Sequence, residues 1–268
     1  MTLPALFIAH GSPTLALESS DYTQFLNELG DRLPAPKAIV VFTAHWDCPE
    51  PSVTMDESHQ ILHDFYGYPS AMYKIQYPAA GQIDIASEIC ALFSRSNLPH
   101  RPVRGRGLDH GVWVPLLHMY PEANIPVIAV SVDSLRSPQE QYDIGRMLEQ
   151  LRHDNVLIIG SGGTVHNLRM IAQDNEPQDW AMEFDDWLDE RLQQWNTREL
   201  FQYGKKAPHA RTAVPSYGME HMAPLFYAMG TADMSRTAKR LFQSYACGTL
   251  SLNCWQFGDG ISLGADLK

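Results

Sequence analysis

Three short apolar runs in this chain, rich in β-branched and aromatic residues, lead into histidines. Residues 6–9 lead into His10, residues 39–42 into His45, and residues 156–159 through a glycine-rich turn into His166. Continuous apolar runs of this length are typical of buried strands in a parallel sheet. Because ligands bind outside the carboxyl ends of such strands, the three imidazoles can converge on one point. Convergent neutral imidazoles suit a divalent metal ion.

The segment between the first two runs predicts a helix. Ser19 or Ser20 can cap its beginning, and Pro34 can end it. The 35 residues from His10 to His45 match a strand–helix–strand crossover, which takes about 30 residues or more. Such a crossover makes the two strands parallel, so both histidines are expected at the same edge of the sheet.

The rest of the chain alternates predicted strands and helices. Further strands are expected at residues 125–132, 155–160 and 249–255, and helices at 82–96, from 137 onward, 180–195 and 222–230. Residues 46–82 are rich in proline, glycine and aromatic residues and predict a long loop that serves as a lid or pocket wall. The pattern indicates an α/β fold, with a single domain over residues 1–268. Its central sheet is expected to be mostly parallel or mixed, with helices on both faces.

Composition argues against several classes of partner. The net charge is −11 and no Lys- or Arg-rich stripe reverses it locally, so we expect a small-molecule substrate and no nucleic acid. No apolar stretch reaches the roughly 20 residues that cross a bilayer, and no basic leader is visible, so we expect a cytoplasmic protein without membrane contact. Four cysteines without a CxxC pair indicate free thiols. We expect a monomer or a simple homodimer.

Two further histidines stand beside carboxylates. His110 follows Asp109 in a predicted loop, where it could be a tuned acid or base, or part of a structural turn. His221 follows Glu220 just before a predicted helix, where it could be a helix-start residue or a metal ligand. The GxSxG and HExxH signatures of common serine hydrolases and zinc proteases are absent from the sequence.

Six segments carry a resemblance to a known family. They are FIAHGSP at 7–13, TAHW at 43–46, ILHDF at 61–65, LDHGVW at 108–113, GGTVHN at 162–167 and EHMAPL at 220–225. Together they resemble the class III extradiol ring-cleavage dioxygenases, the LigB-type family. The closest branch is the 4,5-DOPA dioxygenase extradiol group of bacteria and plants. The resemblance extends from residue 3 to about residue 255.

The resemblance implies a set of metal ligands. It places His10 and His45 at the metal, with His166 and His221 as further histidines beside it. The broader family uses two histidines and one carboxylate, with a separate histidine base in its GG-x-x-H motif. Two alternatives therefore stay open: Glu220 or His221 as a ligand, and His166 as a ligand or as the base.

The remaining roles concern proton transfer and substrate binding. His110 and His166 are expected to act as acid, base or hydrogen-bond donor toward bound oxygen. His63, Tyr66 and Tyr73, from the aromatic loop, are expected to bind substrate.

The reaction implied by the resemblance is ring opening of a DOPA-like catechol by O₂, giving a muconic semialdehyde. Fe(II) is the expected cofactor, because three protein ligands on one face leave positions free for the diol and for O₂. Zn(II) can occupy the same imidazoles in the isolated protein. Two alternatives are a zinc-dependent hydrolase on the same scaffold and a non-enzymatic binding protein of the Memo type.

Overall fold

A computed structural model of the protein describes residues 2–172 and 176–258. Short apolar runs form most of its strands. Within these ranges the strands are β1 (Ala5–Ala9), β2 (Ala38–Asp47), β3 (Ser52–Thr54), β4 (Arg101–Val103), β5 (Val127–Val132), β6 (Val156–Gly162), β7 (Ala238–Phe242), β8 (Tyr245–Ala246), β9 (Leu250–Ser251) and β10 (Cys254–Phe257).

Eight of these strands form one mixed sheet in the order β4-β3-β5-β2-β6-β1-β10-β7, and β8 pairs with β9 separately. The central strands β5, β2, β6 and β1 are parallel. Antiparallel pairing joins β10 to β1 and β7, and β3 to β5. The predicted crossover between β1 and β2 is confirmed, because both strands run parallel to β6, which lies between them. Their carboxyl ends therefore meet at one edge.

Helices cover both faces of the sheet, as the sequence predicts. They are α1 (Asp21–Arg32), α2 (Ile83–Arg95), α3 (His110–Met119), α4 (Pro138–Arg146), α5 (Glu149–His153), α6 (Asp179–Gln193), α7 (Thr197–Leu200), α8 (Tyr203–Lys206), α9 (Ala210–Ala213) and α10 (Ala223–Gly230), with 3-10 turns at Pro13–Leu17, Met72–Lys74 and Met219–His221. Ser20 and Ser137 cap α1 and α4 through capping boxes, which satisfy backbone N–H groups at the helix starts.

The core lies in two layers, one on each face of the sheet. Phe7 of β1 packs with Phe184 of α6 and Leu225 of α10 on one face. Leu6 of the same strand packs with Phe25 of α1 on the other face. Burial on both faces explains why the central strands are continuously apolar rather than alternating.

Two predicted segments differ from the structure. The segment 46–82 is not wholly irregular, because it contributes β3, which pairs with β4 and β5. The strand predicted at 249–255 is divided into β9 and β10. Asn253 interrupts it, since its side chain donates to Asp185 and accepts from the backbone N–H of Ser244.

The four cysteines are unpaired, in agreement with the prediction. The described residues contain no helix that is both long and apolar enough to span a bilayer.

Candidate metal centre

His10 follows β1 directly and is buried at the carboxyl edge of the sheet. Its Nδ1 lies 3.0 Å from the hydroxyl oxygen of Ser161 on β6. Because that hydroxyl donates to the carbonyl of Gly111, it accepts a hydrogen bond from His10 Nδ1. The ring proton is therefore on Nδ1, and Nε2 keeps a free lone pair.

His45 lies near the end of β2, where the pairing of β2 with β5 shifts register between Thr43 and Asp47. Its Nε2 lies 3.0 Å from Nε2 of His10. Two nitrogens this close could both bind one ion through bonds of about 2.0–2.1 Å. The structure thus brings these two predicted ligands together.

A buried ion pair fixes the chain around His45. The carboxylate of Asp109 is fully buried, lies 2.8 Å from the guanidinium of Arg106 and accepts a hydrogen bond from Thr43. Arg106 also donates to the backbone carbonyl of His45. Burial raises the pKa of Asp109, although Arg106 opposes the shift. Asp109 therefore holds the end of β2 against the start of α3.

Asp64 connects two of the histidines. Its Oδ2 lies 2.9 Å from Nδ1 of His110 and 3.3 Å from Nδ1 of His45, and its Oδ1 accepts from the backbone N–H of His110. Burial tends to raise the pKa of Asp64, but hydrogen bonds and charge from His110 outweigh it and lower the pKa. Asp64 therefore orients the ring of His110 as an ionised acceptor, and its negative charge lies beside His45.

Asp64 is a site residue beyond those predicted above, and its signal in the sequence is the His63–Asp64 pair inside the ILHDF segment. The prediction names the histidine of that pair, whereas the structure places the aspartate beside His45 and His110.

His221 ends the 3-10 turn Met219–His221 and is buried. Its Nδ1 lies 3.0 Å from Oε1 of Glu220, which accepts its proton. Gly162, at the end of β6, allows this turn to approach, because a Cβ there would lie 2.1 Å from the carbonyl oxygen of His221. The next residue, Gly163, donates its backbone N–H to the same carbonyl.

His166 stacks flat on His221, with ring centroids 3.6 Å apart and an interplanar angle of 6°. Its backbone N–H donates to the carbonyl of Ala213, which holds the segment after β6 in place. The ring faces a cavity beside the cluster.

Two sets of side chains in the described residues lie close enough to share an ion. The first is His10, His45 and His221, and the second is His45, Asp64 and His110; in each set the ligand atoms lie within 4.8 Å of one another. In the second set, however, Asp64 already accepts the Nδ1 proton of His110. The first set therefore fits a divalent metal better, because it offers convergent neutral imidazoles. His166 and Glu220 belong to neither set.

Burial keeps these imidazoles uncharged. It lowers the pKa of His45 to about 3, with repulsion from His110 adding to the effect, and lowers the pKa of His166 to about 4. Burial and the neighbouring histidines hold the pKa values of His10 and His221 well below the ordinary value. At neutral pH these four rings can act as ligands or proton acceptors.

A cavity of about 500 Å³ opens beside the cluster. The five clustered histidines and Glu220 line it, together with Gly11, Ser12, Pro13, Phe65, Tyr68, Gly162, Gly163, Leu168, Ile171, Tyr217, Gly218, Ala246, Cys247, Leu250, Ser251 and Leu252. Its volume lies within the range of about 300–1,000 Å³ that is usual for small-molecule sites. A single aromatic ring fits into such a space.

The residues predicted to bind substrate lie elsewhere. None of His63, Tyr66 and Tyr73 is among the described residues lining the cavity. Tyr66 is 92% exposed, because its ring extends into solvent. His63 contacts the rings of Phe65 and Tyr73, so it lies behind the wall that Phe65 forms.

Comparison with known proteins identifies relatives along nearly the whole chain. A family model described as the catalytic LigB subunit of aromatic ring-opening dioxygenase matches residues 4–253. A "4,5-DOPA dioxygenase extradiol" of Beta vulgaris is 37% identical over 94% of this chain and 95% of its own length. A protein of the same name from Escherichia coli K12 is 34% identical, with 96% and 95% covered. The crystal structure of an uncharacterized E. coli K12 protein superposes with a TM-score of 0.80 at 31% identity, covering 96% of this chain and all of that one.

Proposed function

Because this chain belongs to the LigB family of aromatic ring-opening dioxygenases, we propose that it opens the ring of a DOPA-like catechol. Both atoms of O₂ would enter the product, a muconic semialdehyde. The observation that carries the proposal is the convergence of His10, His45 and His221 beside the 500 Å³ cavity. The relatives named as 4,5-DOPA dioxygenases support the substrate class.

We assign His10, His45 and His221 as the residues that would hold Fe(II). The Nδ1 atoms of His10 and His221 are hydrogen-bonded to fixed acceptors, Ser161 and Glu220, which leaves their Nε2 atoms to bind. Nδ1 of His45 lies 3.3 Å from the carboxylate of Asp64, and its Nε2 points toward His10. Fe(II) bound there would supply open coordination positions for the diol and O₂, together with one-electron chemistry. Glu220 would then orient His221 rather than bind the metal.

His110 is the proposed base toward a catechol hydroxyl. Its Nδ1 proton is held by Asp64, so Nε2 can accept a proton. The lowered pKa of Asp64 keeps that carboxylate charged, and the charge stabilises the imidazolium that forms.

His166 is the second proposed proton carrier. It lines the cavity and is neutral at physiological pH because burial lowers its pKa. Since it lies outside both metal-binding sets, we assign it to proton transfer and to hydrogen bonding with a substrate oxygen, not to the metal.

The ring of the catechol would rest against apolar and aromatic side chains that line the cavity, among them Phe65, Tyr68 and Leu252. Of the loop residues expected to bind substrate, His63 would act only through Phe65, which it supports by ring contact. We therefore propose Phe65 and Tyr68 as the direct contacts from this loop.

Oxygen consumption tests the proposal. The protein is loaded with Fe(II) without air and then given O₂ with L-DOPA and a panel of other catechols. Stoichiometric O₂ uptake with a yellow product is expected for the wild type. His45→Ala should lose both metal retention and O₂ uptake, whereas His209→Ala, an exposed histidine paired with Glu183, should retain both.

The same imidazole set also suits Zn(II), so a zinc-dependent hydrolase is the alternative that this experiment distinguishes from ring opening. If the Fe(II)-loaded protein consumes no O₂ with any catechol, and the Zn(II)-loaded protein cleaves esters, ring opening is overturned.

A further inference from the structure

A second cavity, of about 350 Å³, lies on another part of the surface. Its wall is formed by the start of α4, the short helices α8 and α9, and the start of α10. It shares no lining residue with the cavity beside the histidines. Its volume is sufficient for a small organic molecule.

Positive charge surrounds this second cavity. Arg136, Lys205 and Arg211 line it, and no carboxylate is among its described lining residues. The whole chain has the opposite balance, with 20 Lys and Arg against 31 Asp and Glu. The lining of this cavity is therefore positively charged, whereas the chain as a whole is negatively charged.

One of these three cations is paired with a carboxylate and the other two are not. Arg136 is paired with Asp133 at 3.0 Å. Lys205 and Arg211 are exposed, and neither side chain forms an ion pair or hydrogen bond with another described residue. Their charges remain available to a ligand.

The floor of the cavity is aromatic. Phe226 contacts Phe201 edge to face at 6.3 Å and Tyr203 in a stacked arrangement at 5.8 Å. Pro138 and Ala223, the first residues of α4 and α10, also line the cavity.

We propose that this cavity binds a small aromatic anion such as an aryl carboxylate. The ring packs against Phe201 and Phe226, and the carboxylate pairs with Lys205 and Arg211. The proposal does not depend on a metal or on ring-opening activity.

Calorimetric titration of the protein with 2-naphthoate tests the proposal. Wild-type protein is expected to bind it saturably. The Lys205→Glu/Arg211→Glu double variant should bind at least tenfold more weakly, because both pairing charges are reversed. Lys206→Glu is the matched control, since Lys206 lies on the same helix outside the cavity and should stay within twofold of wild type.

A neutral probe separates charge recognition from apolar binding. The affinity for 2-naphthalenemethanol should be unchanged by the double substitution. Arg211→Gln, which removes one charge from an exposed position, should weaken 2-naphthoate binding about threefold. Equal 2-naphthoate affinity in wild type, Lys206→Glu and the double variant, or no saturable binding at all, would overturn the proposal.

Discussion

Three histidines at the carboxyl edge of the sheet, His10, His110 and His221, have their tautomers set by hydrogen bonding. Ser161, Asp64 and Glu220 accept their Nδ1 protons, and the Asp64 carboxylate also lies 3.3 Å from Nδ1 of His45. Each partner comes from a different part of the chain. The ability of these rings to bind a metal or a proton at Nε2 therefore depends on the acceptors bonded to Nδ1 as well as on the rings themselves.

Glu220 offers a test of this dependence. Glu220→Ala removes the acceptor for His221 Nδ1 and should weaken Fe(II) or Zn(II) affinity about 10- to 100-fold. Glu220→Gln keeps a carbonyl oxygen at the same place, so its loss of metal affinity should be much smaller. Competition with a chelator measures both affinities. Equal losses in the two variants would show that Glu220 does not act through this hydrogen bond.

Asp185 gives a prediction about pH. It is fully buried on α6 and accepts hydrogen bonds from Thr164 and Asn253, and burial raises its pKa to about 6. The folded state therefore holds this proton more tightly than the unfolded state. The contribution of the Asp185 carboxyl to folding stability is fully present at pH values below its pKa in the unfolded state. This contribution is lost as the pH rises through about 6, its pKa in the folded state.

Asp185→Asn should remove that pH dependence. Between pH 5 and pH 8 the free energy of unfolding of the wild type should fall by about 1 kcal/mol relative to the variant. Urea unfolding of both metal-free proteins at the two pH values measures the difference. A difference that stays constant with pH would show that Asp185 is already ionised at pH 5.

At the scale of elements, the approach of the turn Met219–His221 to β6 decides where His221 lies. Gly162→Ala would place a methyl group 2.1 Å from the carbonyl oxygen of His221, so the turn must move. We expect a loss of about 1–3 kcal/mol in stability, together with weakened metal binding. Gly163→Ala is the control, because its nearest contact would be an ordinary 3.7 Å. Thermal unfolding and metal titration compare the two, and equal behaviour would contradict this account.

The elements predicted correctly from sequence are those with strong local signals. The buried strands β1, β2 and β6 follow from continuous apolar runs, and α4 begins at the capping box of Ser137 and Glu140. The division of the last predicted strand was missed because its cause is distant in sequence. Asn253 bonds to Asp185 of α6, 68 residues away.

The difference between local signals and contacts that are distant in sequence also explains which site residues could be predicted. Histidines after strands could be recognised because strand ends converge by topology. The His63–Asp64 pair is a local signal, but only the contacts with His45 and His110 show that Asp64 is the member of the pair that faces the site. Tyr66 was expected in the pocket from composition alone, but composition does not determine which aromatic side chains of a loop face inward.

At the scale of the whole molecule, the cavity beside the histidines favours certain substrates. Glu220 is the only carboxylate among its described lining residues, and no lysine or arginine is among them. An added negative charge on the substrate would therefore meet no fixed positive partner in this wall.

We expect catechols with an amino group to be better substrates than catechols with only a carboxylate. The value of kcat/KM for dopamine should exceed that for 3,4-dihydroxybenzoate by about tenfold or more, with uncharged 4-methylcatechol between them. Steady-state O₂ uptake gives all three values. A preference for 3,4-dihydroxybenzoate would show that cations outside the described wall control selection.

The short turn that carries His221 has a cavity on each side. Met219 lines the cationic cavity, while Glu220 and His221 line the one beside the histidines. Binding at the two cavities would be coupled reciprocally. If an aromatic anion changed the affinity for the metal by some factor, the metal would change the affinity for the anion by the same factor. Met219 and Glu220 are adjacent residues that line different cavities, so a movement of this turn would reach both of them.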